Sequence, residues 1–396
     1  MKISKPKIIV RPKDFTPTRQ DMEIVGTFNM GASTIVKDGI EQIVGMVRVA
    51  ESPIEEPRGK VLVPYAKVSP RGNPTYEIDF FQIDKRKEII PGTLGKKELK
   101  VKKITLPWNN ETIENVWLHR HISHPKLGFS RDGINFDWSE NFSYFPSWPH
   151  EAFGIEDNRI IKLNGNYIFT STSPDVDQSV GTSFVKTEDF KKIVRLPLPA
   201  NNERQKYTPR FIFVSEKNAI PLPKRVNHPY MKDPLGEPAQ CWASLTRDNA
   251  YQENSPARIN VEFSFDLLHW GGPPHTLMRA SNTKDTLGGG TNLEEGVVNG
   301  TNVFWGFYHY VSRGVYRAGL FAIDSKNPWN LVARTEPFLK PNQHEYRKKG
   351  YLPNVFYPTG LVIINDTAFL YGGQQDNWTS VQEFKKSTAI AFLETA

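Results

Sequence analysis

The chain has 396 residues, 12% of them aromatic, with 28 Gly, 30 Pro and a formal net charge of +7. Its single cysteine, Cys241, excludes an intrachain disulfide and a cysteine-only metal cage. The cations are dispersed and accompany no nucleic-acid motif, no apolar run could span a bilayer, and Met1 to Lys7 opens no signal sequence. The expectation is therefore a cytoplasmic protein without a nucleic-acid or membrane partner.

Many rings and many turn formers favour a β-rich protein of short strands. Strand-like runs recur in chain order at 42–47, 60–66, 76–83, 167–172, 258–263, 303–310 and 368–371, and helical periodicity is nearly absent. In 95–103, Lys100 and Lys102 alternate with Leu99 and Val101, as on the wet face of a strand. Residues 201–209 and the Pro- and charge-rich 226–238 read as loops. A strand end, an acidic turn and an aromatic recur at Phe129-Ser130-Arg131-Asp132, Thr187-Glu188-Asp189-Phe190, Phe263-Ser264-Phe265-Asp266 and Ile323-Asp324. Intervals of roughly 55–80 residues suit propeller blades with insertions, and about five would use up the length. A two-domain β-sandwich is the alternative, but it does not predict the repeated turn. The expectation is one all-β domain, 1–396, folded as a five-bladed β-propeller.

Chemistry concentrates in Gly154-Ile155-Glu156-Asp157-Asn158-Arg159, two acids and an arginine between strand-like segments. A carboxylate beside a guanidinium suits moving a proton or gripping a polyol. On spacing alone a solvated surface ion pair is the better reading. The cluster His119-Arg120-His121 puts two imidazoles on one strand face but offers no third ligand, so no metal is expected. Gly288-Gly289-Gly290 lacks the following Lys and helix of a phosphate loop, and no cofactor is expected.

An ordered set of segments resembles glycoside hydrolase family 130, five-bladed propellers acting on β-mannosides. It comprises Arg11-Pro12, Phe28-Asn29-Met30-Gly31-Ala32, Val47-Arg48-Val49, Glu156-Asp157-Asn158-Arg159, Leu267-Leu268-His269-Trp270, Gly288-Gly289-Gly290-Thr291 and Tyr308-His309. Glu345-Tyr346 with Gly350, the segment from Pro353 to Gly360, and Tyr371-Gly372-Gly373-Gln374-Gln375-Asp376 complete it. The resemblance implies Asp157 as general acid, working through a sugar hydroxyl. Asn29, Arg48, Arg159, Tyr308, His309 and Asp376 become candidate substrate-binding residues, and a mannose-containing oligosaccharide the partner. Met30 and Asn158 stand where the family has proline. If Asp157 is the acid, burial and neighbouring carboxylates should raise its pKa.

Departures from the family pattern favour hydrolysis over phosphorolysis. Thr286 stands at a family lysine, Leu245-Thr246-Arg247 at a histidine-bearing segment, and Asn292-Leu293-Glu294-Glu295 where Pro-Pro-Ile-Lys is common. Fewer cations would weaken a phosphate site, whereas Glu294 or Glu295 could activate water in an inverting mechanism. That mechanism needs carboxyls about 6.5–9.5 Å apart. Glu216 and Glu151 are lesser candidates for the base. The alternatives are a phosphorylase that holds inorganic phosphate with Arg48, Arg159 and Arg247, and a non-catalytic sugar-binding propeller. An arabinan- or fructan-acting propeller glycosidase lacks its motifs here, and a homo-oligomer stays open.

Overall fold

The computed structural model describes all residues except 38, 70–74, 96, 139–143, 164, 175–179, 197–212, 215, 249–254 and 342–353. Lys96, the 201–209 connector, Glu345, Tyr346, Gly350 and Pro353 therefore lie outside the described residues.

Five antiparallel sheets follow one another around an axis, each contributing its first strand to the centre. Blade one is Met22–Lys37, Ile40–Pro53 and Ile122–Ser130, and blade two is Glu156–Leu163, Asn166–Pro174, Val180–Thr187 and Ile193–Arg195. Blade three is Glu216–Pro221, Pro238–Asp248, Arg258–Ser264 and Trp270–Arg279. Blade four starts with Thr286–Gly289 and Glu294–Val298, which pair with one strand, Thr301–Ser312, followed by Val315–Asp324 and Leu331–Arg334. Blade five is Phe356–Ile364, Thr367–Gln374 and Trp378–Lys385, and the N-terminal strand Lys7–Val10 supplies its outer edge. The first residues thus close the ring on the last blade.

The hydrophobic core is divided among the seams between blades. Val44, Leu127, Ile160 and Phe169 fill the seam of blades one and two; Ile168, Phe184 and Trp242 that of two and three. Leu245, Val261, Phe304 and Phe321 join three to four; Trp305, Leu320, Leu361 and Leu370 join four to five. Val10, Met30, Val47, Val362 and Tyr371 close five onto one. Each sheet buries both faces, so the inner strands read as continuous apolar runs rather than alternations.

The recurring acidic turn is a structural repeat. Asp132, Asp189, Asp266 and Asp324 each accept backbone N–H groups two and three residues ahead, at Ile134/Asn135, Lys191/Lys192, Leu268/His269 and Lys326/Asn327. A side chain that supplies acceptors to its own turn fixes the exit from a blade strand in the same way four times.

Blade one carries an insertion. Its second and third strands pair antiparallel, yet two hairpins, Lys60–Ala66 with Ile78–Asp84 and Glu98–Thr105 with Thr112–His119, intervene. They pack around Val61, Val63, Leu99, Val101 and Leu118, together with Ala152 and Phe153, just ahead of Asp157. Leu99 and Val101 are buried while Lys102 is exposed, as the alternation implied.

One local expectation fails, and a short helix stands among the strands. Within 226–238, Val226–Lys232 is a strand that pairs with the start of Pro238–Asp248. It is the outer partner there, where Pro229 costs no central ladder bond. The C-terminal Lys386–Leu393 is helical, with Ala389 and Leu393 buried against blades four and five; eight residues are too few to show a period. Among the described residues no helix is long and apolar enough to cross a membrane.

Candidate active site

Three polar residues converge at one end of the axis from unusual backbone positions. Asn29, Asp157 and Asp376 have φ of 57°, 51° and 48°. The left-handed region is costly for side chains with a Cβ and is retained where the surroundings impose it. Asn29 sits in a bulge between Phe28 and Gly31, and Asp157 where the register with the neighbouring strand shifts between Thr170 and Thr172. Asp376 follows Gln375 (φ 55°) in a turn closed by Asn377 N–H to the Gln374 carbonyl, 3.0 Å. Two consecutive left-handed residues usually call for Asn-Gly; here they present an acid instead. Gly31 permits the first bulge, since a Cβ there would lie 2.3 Å from the Asn158 carbonyl oxygen.

Arg48 joins this cluster. Its Nη1 donates to Asp157 Oδ1 (3.1 Å), its Nη2 to Glu156 Oε1 (2.5 Å), and its Nε to Ser123 Oγ (2.9 Å). The guanidinium stacks 4.6 Å above the Phe28 ring. Asn29 Nδ2 donates to Asp157 Oδ1 (2.7 Å). Lys97, from the inserted hairpins, reaches across to Asp376 Oδ2 at 2.6 Å.

The two neighbouring carboxyls are driven in opposite directions. Burial, then the charge of Asp157, raises the pKa of Glu156 against the pull of Arg48. Burial also acts to raise Asp157, but Arg48, Arg159 and the Asn29 hydrogen bond outweigh it and hold Asp157 low. The expected raised pKa of Asp157 is thus reversed, because the charges of Arg48 and Arg159 and the hydrogen bonds from Asn29 and Arg48 outweigh its burial.

Next to the acids lies a cationic side. Lys217 and Arg247 are register partners on blade three. Arg247 Nη1 approaches His309 Nε2 at 3.3 Å. The Arg247 charge, with burial, depresses Lys217 to about 7 although Asp157 and Glu156 pull the other way. Burial and the same cations keep His309 neutral, well below its usual pKa. Gly288 leaves the space between them: a Cβ there would lie 2.5 Å from His309 Cε1, 2.7 Å from Asn218 Nδ2 and 2.9 Å from Arg247 Cδ.

Arg159 is in the site but does not present itself to a ligand. Buried to 1% exposure, it donates to the carbonyls of Gly290 (2.8 Å), Asp157 (2.8 Å) and Gly289 (3.3 Å) and to Tyr357 Oη (2.9 Å). It fixes the Asp157 backbone against blades four and five rather than gripping the carboxylate or a sugar. Tyr357 Oη in turn donates to Asn218 Oδ1 at 2.8 Å.

Other expected residues lie elsewhere. Strand alternation turns Tyr308 away from His309, and its hydroxyl donates to the Thr335 carbonyl at 2.6 Å within blade four. Glu294 lines a cavity of ≈ 320 Å³ with Ser33, Ile161, Pro223 and Val362. Ser33, Ile161 and Val362 stand four or five residues beyond Asn29, Asp157 and Tyr357 on the same inner strands, about 15 Å along the axis at ~3.3 Å per residue. Glu295 is exposed and paired with Lys224 at 2.6 Å. The residues lining this cavity include both glutamates but not Asp157, so nothing in the geometry brings either glutamate to the acid as an inverting base. Burial raises Glu294 to about 7. Glu151 is buried and held by Arg195 at 3.0 Å; the side chain of Glu216 is outside the described ones. His119 and His121 meet edge to face, with centroids 5.4 Å apart. Among the described residues no group of three or more His, Cys, Asp or Glu could hold a metal.

Glu156, Lys217, Asn218, Tyr357 and Lys97 join the site without having been singled out as candidates. Glu156 had a signal, adjacency to Asp157, but on a regular strand that adjacency would point it away. The others come from three different segments; Tyr357 lies within a family-like segment and Lys97 within a strand-like run, and Lys217 and Asn218 carry no local mark.

Comparison with known proteins gives a consistent neighbourhood. Residues 119–395 match the family model Glyco_hydro_130, described as beta-1,4-mannooligosaccharide phosphorylase. The chain is 23% identical over 395 residues to "Beta-1,2-mannobiose phosphorylase" of Listeria innocua, covering 98% of this chain and 96% of that protein. It is 26% identical over 262 residues to "1,2-beta-oligomannan phosphorylase" of a Thermoanaerobacter species, covering 65% and 77%. The solved beta-1,2-mannobiose complex of the Listeria innocua phosphorylase superposes with a TM-score of 0.75 at 22% identity and full coverage of both chains.

Proposed function

The chain belongs to glycoside hydrolase family 130, and from that premise we propose that it is an inverting β-mannoside phosphorylase acting on β-1,2-linked manno-oligosaccharides. The observation that carries the reading is the cationic side of the pocket, Lys217 and Arg247 beside neutral His309, next to Asp157 on the adjoining blade. Phosphate needs several cationic or N–H donors, and this set makes good the lysine missing at Thr286. The relatives' names point to the same reaction and to the β-1,2 linkage.

Phosphorolysis also accounts for the missing base. A phosphate anion is already a nucleophile, so no second carboxylate is required to deprotonate water. Phosphate held by Lys217 and Arg247 attacks the anomeric carbon, and the glycosidic bond on the opposite face breaks. The departing oxygen receives a proton by way of Asp157, and one displacement turns the β-mannoside into α-mannose 1-phosphate. Asn29, Arg48 and Asp376 hold the sugar end, where carboxylates and an amide suit vicinal hydroxyls. Phosphorolysis is preferred to the hydrolysis expected from the departures in sequence because blade three supplies cations and Glu294 lines a different cavity from Asp157.

The test is product analysis on β-1,2- and β-1,4-mannobiose with and without inorganic phosphate. Mannose 1-phosphate formed only with phosphate, and faster from the β-1,2 isomer, is expected. Free mannose at equal rates in both conditions would overturn the reading.

A further inference from the structure

On a regular strand, Glu156 and Asp157 would point to opposite faces. The left-handed backbone at Asp157, with the register shift opposite it, brings both carboxyls to one guanidinium: Glu156 Oε1 on Arg48 Nη2 and Asp157 Oδ1 on Nη1. Both side chains keep a limited opening to the pocket, 16% and 18% exposed. They are not equivalent. Asp157 accepts from two donors, Asn29 and Arg48, and its backbone is pinned by Arg159, whereas Glu156 has Arg48 as its hydrogen-bond partner.

We propose that Glu156 is the proton reservoir of this site, holding the proton that Asp157 passes to the departing sugar oxygen. The proposal rests on Asp157 as the proton-delivering group in the reading above. It resolves a conflict within that reading. A general acid must enter the reaction protonated, yet Asp157 is surrounded by groups that favour its ionised form. When two linked carboxyls share one proton, it resides on the member whose surroundings least favour charge; here burial and the neighbouring charge make that member Glu156.

The charged and titratable groups facing Glu156 are Arg48 on blade one, Asp157 beside it, Lys217 on blade three and Lys97 from the inserted hairpins. His121 approaches Arg48 Nη2 at 3.4 Å, and Asp376 reaches Arg48 through its charge. His121 is kept neutral by burial and the surrounding cations, so it adds no charge at neutral pH.

The step balances. A phosphate oxygen forms a bond to the anomeric carbon as the bond to the glycosidic oxygen breaks, and the bonding pair stays on that oxygen. The oxygen takes a proton from the Asp157 side. That proton is the one held on Glu156, relayed through Asp157, so both carboxyls are ionised once the bond has broken. Glu156 regains a proton from solvent after product leaves, balanced by the proton that phosphate loses on becoming an ester. Glu156 acts through Asp157 and is a positioning residue in this sense, so its test needs a readout that packing alone does not move.

That readout is the pH profile of kcat at saturating phosphate for wild type, Glu156→Gln and Glu156→Asp. Glutamine keeps an oxygen for Arg48 but cannot hold the proton, which must then reside on Asp157. The basic limb of Glu156→Gln should shift at least about one pH unit towards acid, with kcat at pH 7 lower by about 100-fold. Glu156→Asp should bring the limb back. An unmoved limb in Glu156→Gln overturns the proposal. A second measurement needs neither turnover nor substrate: carbon-13 titration of the side-chain carboxyls, with Glu156 assigned by the signal lost in Glu156→Gln. Glu156 should titrate above the ordinary glutamate range and above Asp157; the reverse order overturns the proposal. Phosphate-independent release of free mannose would refute phosphorolysis alone, because attack by water leaves an oxygen with the same need for a proton.

Discussion

Arg159 and Lys217 show how two cations in one pocket take different work. Arg159 spends its donors on protein acceptors from blades two, four and five, so its charge shapes the site while its geometry braces it. Lys217, beside Arg247, is held at about 7 and is poised to gain a proton when an anion arrives. The sign follows. Above pH 7 the free pocket holds mostly neutral Lys217; bound phosphate raises its pKa, so binding takes up a proton and weakens as pH rises. We expect the phosphate KM to climb about tenfold from pH 7 to pH 8.5 in the wild type and to be higher but flatter in Lys217→Met. Initial rates across that range check it. A wild-type phosphate KM constant over the range would show that Lys217 does not face the anion.

At the scale of the element, function sits on irregularities and stability on repetition. Two bulges and a tight turn aim Asn29, Asp157 and Asp376 from strands that would otherwise alternate. The blade-exit turns at Asp132, Asp189, Asp266 and Asp324 are regular and remote from the pocket. Asp266 accepts the N–H groups of Leu268 and His269, both at 2.8 Å, and its removal leaves turn donors to solvent. Asp266→Ala should cost about 1 kcal/mol of stability with kcat unchanged, as read by denaturant unfolding and turnover together. A large loss of kcat would mean that the turn communicates with the site.

The whole molecule depends on closing a ring whose core is parcelled into seams. The outer strand of blade five is the N-terminal Lys7–Val10, and Val10 is fully buried in the seam between blades five and one. A carboxylate there has no partner and would enter an apolar seam. Val10→Asp should therefore destabilise by about 3 kcal/mol, seen as a lower thermal midpoint, and should reduce activity only as far as unfolding does. An unchanged midpoint would mean that the strand is not needed for closure. The inserted hairpins of blade one bear on the site as well, since Lys97 from that lobe holds Asp376 from the last blade.

By itself the sequence determined what is local. Ring-rich strand runs, the repeated acidic turn and the ordered motifs led to a five-bladed propeller, and Asn29, Arg48 and Asp157 do meet. Strand periodicity and side-chain-to-backbone turns are set by neighbours in the chain, so they can be read along it. Only the tertiary structure decided which charges share a pocket. Glu294 looked like a base from its place after the glycines, yet it lines a cavity with Ser33, Ile161 and Val362 that does not include Asp157. Lys217 carried no local mark, yet register on blade three sets it beside Arg247 and next to Asp157 on the adjoining blade. The physical reason is that a charge acts through distances of a few ångströms and through burial, and in a closed ring both depend on how blades far apart in sequence are brought together.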